Sequence, residues 1–306
     1  MVTTTLRRAS AQVSESAQHV RIDHDRIAVY SATLSPGAEL PGPARDLTDP
    51  AERERTAAFW LTLDAINFGS GWFPTLRKGA QRTGYRTIEA GVKRRFQESG
   101  PWTAAELEAI EPAELAWLME QGPTHELMAL FASSLQDLGR HLTEQCRGCF
   151  AALVDDADLS AVWLVETLAA WDCFADTSSH GELRLPFLKR AQIAAADLHR
   201  AGVGGFTDLG ALTMFADNLV PHVLRLDRIL RFAPGLVQRI AAGELIEHGS
   251  PEEVEIRASA VQAVELIVAA APVTLTAAEV DEILWNRGQQ PAYKAQPRHR
   301  SRTTAY

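Results

Sequence analysis

The sequence predicts a mainly α-helical protein with at most short β segments. Apolar residues recur at spacings of three and four along several stretches of helical length. No series of alternating apolar and polar runs suggests a large sheet, and Gly and Pro punctuation falls between the periodic stretches.

In chain order, residues 19–30 allow a short extended piece, and 35–43 read as a turn. Residues 59–68, rich in apolar and aromatic side chains, run into a glycine turn at 69–74. Helical spacing then covers 104–119, 126–142, 160–171, 187–198 and 252–268, with a second short extended piece at 182–185. Turns are expected at Gly100 and Pro101, Gly122 and Pro123, 202–205, Pro234 and Gly235, and 249–251, none of them an interdomain linker. The polar, basic stretch 288–306 reads by composition as a disordered tail.

The chain has 306 residues, 46% of them hydrophobic, enough for a substantial core. Its net charge of −9 argues against a protein that grips a nucleic-acid backbone and favours a small-molecule substrate. Residues 1–16 lack the apolar centre of a signal peptide, and Glu265 and Pro272 break the longest apolar stretch, so a cytoplasmic protein without membrane contact is expected. Three cysteines suit a reducing compartment. Cys146 and Cys149 form an isolated C-x-x-C, read as structural, and neither a metal nor a cofactor is expected. No P-loop or dinucleotide fingerprint is present.

Three stretches could carry chemistry. In PFLKRAQIAAADL (186–198), Pro186 is expected to open a helix and to place Lys189 and Arg190 in its first turn, where cations oppose the helix dipole. Lys189, Gln192 and Ala196 would then share a face able to wall a site. Asp217, between apolar residues and the Val220-Pro221 break, reads either as a helix cap or as a desolvated carboxylate. Asn67 and Phe68, beside the glycine turn, could contribute to a pocket for a flat base. Arg257 reads as an ion-pair partner of Glu253 at i,i+4 or as an anion ligand.

Together, LDAINFGSGWFP (63–74), ELMALFASSLQDLG (126–139), CFAD (173–176), PFLKRAQIAAADL (186–198), LTMFADNLVPHVLR (212–225), EVEIRASAVQAVE (253–265), DEILWNRG (281–288) and HRSR (299–302) resemble the queuosine-salvage family of queuine-releasing N-glycosidases. The resemblance implies a helical fold related to helix-hairpin-helix DNA glycosylases. It also implies metal-free hydrolysis of queuosine 5′-monophosphate or queuosine, with Asp217 and Lys189 at the reaction centre. Gly202, Gly204 and the later Asp217 fit such a hairpin. Asn67, Phe68, Asp176, Gln192, Arg257, Trp285, His299 and Arg302 are the expected substrate-binding residues. His299, Arg300, Arg302 and Arg257 are the candidates for meeting a 5′-phosphate.

The chain departs from the family pattern at Ala175, where arginine is usual, at Asn218, where many members have tyrosine, and at Ser301, where threonine is usual. The first sixty residues match least well and are expected to form a packing segment or a lid ahead of a helical domain over 61–306. A DNA-repair glycosylase and a non-catalytic base-binding protein are the rival readings.

Overall fold

The computed structural model describes residues 1–34, 47–79 and 83–306, so the turn expected at 35–43 lies outside the described residues. Fifteen α-helices and two two-stranded antiparallel pairings are found among them, and the class is mainly α.

Two apolar clusters organise the helices. The first surrounds the helix Glu126–Cys146, whose Leu127, Phe131, Leu135, Leu138 and Leu142 face inward. The second surrounds the helix Pro251–Ala270, which is buried along nearly its whole length and therefore carries Glu253, Glu255 and Arg257 into the interior. Ser250 caps this helix and Pro251 opens it, so its start is set by local chemistry.

The chain passes between these clusters at two places that matter. Leu185 and Phe187 belong to the second cluster and Leu188 and Ala191 to the first; likewise Met214 and Ala216 belong to the second and Phe215 to the first. Lys189 and Asp217 therefore both sit at the seam.

Residues 1–34 pack into the second cluster. The helix Val2–Ser16 contributes Leu6 and Val13, and the strand Val20–Ile22 pairs antiparallel with Leu230–Phe232. The helix Pro50–Ala65 runs across position 60 without interruption.

Several expectations need correction. Residues 104–119 form two helices, Ala104–Glu108 and Pro112–Leu118, because Pro112 has no N–H to donate and holds Glu111 extended. Within 19–30 only Val20–Ile22 is extended, and the helix His24–Ser31 follows. Pro234 and Gly235 open the helix Pro234–Ala241 instead of making a turn. Pro186 ends the strand Leu183–Pro186, which pairs with Thr177–His180, and Leu188 at φ 48° makes the corner into the helix Lys189–Arg200.

The largest correction concerns 288–306, which is ordered against the core. After the short helix Pro291–Lys294 the chain runs as an irregular strap in which burial alternates: His299, Ser301, Thr303 and Ala305 are buried, whereas Arg302 and Thr304 are exposed. Tyr306 closes it, buried, with its carbonyl accepting from Gly69 N at 3.1 Å. Ser301 passes so close to Gly71 that a Cβ there would collide with its backbone, which explains a glycine at that turn.

Candidate active site

Asp217 lies on the loop between the helices Lys189–Arg200 and Val220–Leu226. Its Oδ1 accepts from Leu219 N at 2.7 Å and Val220 N at 3.2 Å. The carboxylate thus caps the start of the next helix and also lines a cavity. The two sequence readings of Asp217 coexist, because one oxygen suffices for the cap. The loop itself is pinned: Phe215 N donates to Asp281 Oδ1 at 3.0 Å, Thr213 N to Gln192 Oε1 at 2.8 Å, and Arg257 Nε to Ala216 O at 2.9 Å. From the N-terminal helix, Arg7 donates to the carbonyls of Ala211 and Leu212 at 2.9 and 2.8 Å.

Lys189 is the first residue of its helix and is buried. Its Nζ donates to Asn67 O at 2.9 Å, and its backbone N donates to Asp176 Oδ2 at 3.0 Å. Asp176 therefore supplies the anion that a helix N-terminus favours, offsetting the cations placed there. The same Oδ2 accepts from Arg257 Nη2 at 2.6 Å. Arg257 is fully buried, lies 3.9 Å from the Phe187 ring centroid and 4.5 Å from that of Tyr306, and has Glu253 at 3.6 Å. Burial works against its charge, but Asp176 and Glu253 prevail and hold its pKa above the usual arginine value.

The cavity has a volume of about 820 Å³, within the range of small-molecule sites. Asn67, Phe68, Lys189, Phe215, Asp217, Asp281 and Trp285 line it together. Burial pushes the Lys189 ammonium down, while Asp217 and Asp64 favour its charged form. Burial, with Asp217 next, pushes Asp281 well above the usual carboxylate range, and burial raises Asp197 to about 6. Asp64 moves in the same direction, through burial and Asp197. One ammonium thus stands near three carboxyls, Asp64, Asp197 and Asp281, that burial shifts toward their protonated form.

Six of the eleven residues expected at the site from the sequence line this cavity: Asp217, Lys189, Asn67, Phe68, Trp285 and Arg300. The other five do not. Gln192 turns inward to Phe187 O and Thr213, so the helix face toward the cavity is Lys189, Ile193, Asp197 and Arg200. Asp176 and Arg257 form the buried pair beneath it. His299 is buried behind the strap, with its carbonyl accepting from Asn218 Nδ2 at 3.2 Å, and Arg302 reaches Glu126 on the surface at 3.4 Å. Asp281, Asp197 and Arg298 escaped selection. Asp281 opens the DEILWNRG block and could have been found there. Arg298 stands just before the HRSR block, one residue from the histidine that was chosen.

Among the described residues no cluster of His, Cys, Asp and Glu could hold a metal ion, and no helix is long and apolar enough to cross a membrane. Cys149 Sγ donates to Glu54 at 3.0 Å, and burial raises the Cys146 thiol to about 11, so neither is poised for metal or redox chemistry.

Fold and cavity define a helical protein in which a carboxylate and a lysine share one aromatic-lined cavity. Residues 47–306 match the model of the family described as queuosine salvage protein, and the chain belongs to that family. It is 38% identical to the queuosine 5′-phosphate N-glycosylase/hydrolase of Sphaerobacter thermophilus, over 100% of this chain and 97% of that one. Proteins of the same name from Nematostella vectensis and Mus musculus are 30% and 28% identical, covering 84% and 98% of this chain and 84% and 98% of theirs.

Proposed function

We propose that this protein hydrolyses the N-glycosidic bond of queuosine 5′-monophosphate and releases queuine. The observation that carries the reading is the meeting of Asp217 and Lys189, from separate elements, in one cavity walled by Phe68, Phe215 and Trp285. Family membership supplies the substrate class.

Breaking this bond builds positive charge at C1′ and negative charge on the leaving base. Asp217, held in place by two backbone donors to Oδ1, stabilises the oxocarbenium-like centre and orients the attacking water. A 7-deazaguanine has carbon at the position where ordinary purines accept a proton at N7, so departure needs stabilisation elsewhere. Lys189, anchored on Asn67 O beside Phe68, supplies positive charge near the base. Asp281, its carboxyl raised by burial, presents a hydrogen-bonding group to the base edge.

The five residues outside the cavity act as supports: Gln192, Asp176 and Arg257 hold the two reacting segments, while His299 and Arg302 seat the strap. Residues 1–34 serve as a packing segment, since Leu6, Val13 and Val20 are fully buried. Three free cysteines support a reducing, cytoplasmic setting, with a small molecule and no nucleic acid or membrane as partner.

The test is to incubate purified protein with queuosine 5′-monophosphate and follow free queuine by chromatography. Asp217→Asn is expected to lower turnover by at least about 100-fold, the loss of one preorganised electrostatic group. Unchanged turnover in that variant would remove Asp217 from the reaction.

A further inference from the structure

We propose that Arg200 is a positioning residue: by bonding Asp197 and Glu282 at once, it fixes the width of the cavity between the helix Lys189–Arg200 and the helix Ala277–Gly288. The reaction it serves rests on the hydrolase reading; the strut itself rests on the fold alone.

Both helices contribute to the cavity, yet their main apolar faces pack on different cores. Ala191, Ala194 and Leu198 belong to the first cluster, and Val280 and Leu284 to the second. Among the described residues, only Ala278 of the later helix reaches the first cluster, so the spacing of the two helices is left largely to polar contacts. Arg200 Nη1 donates to Asp197 Oδ1 at 2.9 Å, and Nη2 donates to Glu282 Oε2 at 3.1 Å. The second of these is the one side-chain hydrogen bond between the two helices among the described residues. Asp197, Arg200 and Glu282 all line the cavity, so the guanidinium spans the seam at the site itself.

The residue next to Glu282 completes the geometry. Asp281 Oδ1 holds Phe215 N at 3.0 Å, two positions before Asp217, while Glu282 is held through Arg200 by the helix that Lys189 begins. Consecutive residues thus tie the wall that bears Trp285 to both reacting segments. The Arg200 side chain is 38% exposed, and ion pairs of that kind add little to stability. What the strut contributes is distance, and a misplacement of about 1 Å costs a reaction about 100-fold in rate.

Asp197 makes the strut responsive to acid. Burial raises its pKa, Arg200 opposes the rise, Glu282 adds to it and Lys189 opposes it, leaving the carboxyl at about 6. Asp64, on the helix Pro50–Ala65, and Tyr85, on the helix Gly84–Glu98, also feel its charge, and both are raised chiefly by burial. Above about pH 6 Asp197 is ionised and its bond from Arg200 is charge-assisted; below it the carboxyl is neutral and the strut weakens.

The experiment measures queuine release from queuosine 5′-monophosphate in a double-mutant cycle of Arg200→Gln and Glu282→Gln, with hydrogen exchange of the unliganded proteins as a second readout. Each single variant is expected to lower kcat/KM about 10- to 100-fold, and the double variant no further, because both changes remove one strut. Arg200→Lys, which reaches one carboxylate without the fork, should recover part of the loss. Arg200→Gln should speed amide exchange in 277–288 while 251–270 keeps its protection. Asp197→Asn, which still accepts from Arg200 but does not titrate, should abolish the fall in kcat/KM that wild type shows around pH 6.

Unchanged kcat/KM in Arg200→Gln, additive losses in the cycle, or exchange in 277–288 that stays as in wild type overturns the strut, while queuine release upholds the hydrolase. Faster exchange that spreads equally to 251–270 marks a general loss of stability and overturns it too. If wild type releases no queuine but exchange in 277–288 rises alike in both single variants and no further in the double, the strut stands and the hydrolase reading falls.

Discussion

Residues 1–34 and residues 297–306 come from opposite ends of the chain and both settle on the helix Pro251–Ala270, but different forces hold them. The N-terminal segment is fixed largely by area: Leu6, Val13, Val20 and Leu34 are buried in the second cluster, and none of the segment lines the cavity. The strap is fixed by specific polar and aromatic contacts. Tyr306 lies over Arg257, Asn218 grips His299 O, and Gly69 N meets Tyr306 O. The apolar segment supplies stability to the floor beneath the site, and the polar strap supplies a wall of the site itself.

Truncating an apolar anchor of the first segment should give the largest effect on stability with the least on binding. Leu6→Ala is expected to lose about 2–5 kcal/mol in denaturant unfolding, with KM for the nucleotide unchanged in the folded fraction. A parallel rise in KM would erase the distinction between the two ends.

Acid should act on the strap through His299. Burial lowers His299 to about 3, below its ordinary value of 6.5, so the unfolded chain binds a proton there that the folded chain refuses. Stability therefore falls as pH drops from about 6.5 toward 3, by at most about 1.4 kcal/mol per pH unit for this group. Burial works against Glu253, but Arg257 and His248 hold it at about 2, and its contribution is lost between its ordinary value of 4.5 and about 2. His222, lowered to about 4 by burial, acts in the same direction as His299. In urea titrations across this range, His299→Gln should flatten the pH slope without removing it. An unaltered slope would show that the strap does not carry the acid sensitivity.

The smallest effect belongs to Arg302. It is exposed, pairs with Glu126 at 3.4 Å and lies 5.6 Å from the Trp72 ring centroid. Arg302→Ala should change stability by less than about 0.5 kcal/mol and leave KM in place. A large rise in KM would place Arg302 at the substrate despite its surface position.

How much of the site could be read from the sequence depended on what each residue needed from its neighbours. Asp217 and Lys189 stood out because a carboxylate in an apolar stretch and a cation at a helix start are locally anomalous. Asn67, Phe68 and Trp285 were reachable because aromatic side chains beside turns and within a motif block tend to line pockets. The i,i+4 pair of Arg257 with Glu253 was legible, but the bond of Arg257 to Asp176 spans 81 positions and follows no local pattern, so both were expected at the substrate and lie beneath the cavity. Arg298 and Arg300 reach the cavity through the alternating burial of a strap whose composition reads as disorder, and Arg298 was not expected there.

By itself the sequence determined the helical class, the helices that cover most of 126–142, 160–171, 187–198 and 252–268, and the polar residues worth attention, since periodicity, caps and proline stops act within a few residues of the chain; helices such as Val2–Ser16, Gly84–Glu98 and Ala277–Gly288 were not read from it. Only the tertiary structure decided which polar residues share a cavity and which lie beneath it. That choice depends on the seam between two apolar clusters, where segments from residues 67, 189, 217, 281 and 298 converge. It depends equally on burial, which turns some carboxyls toward their protonated form.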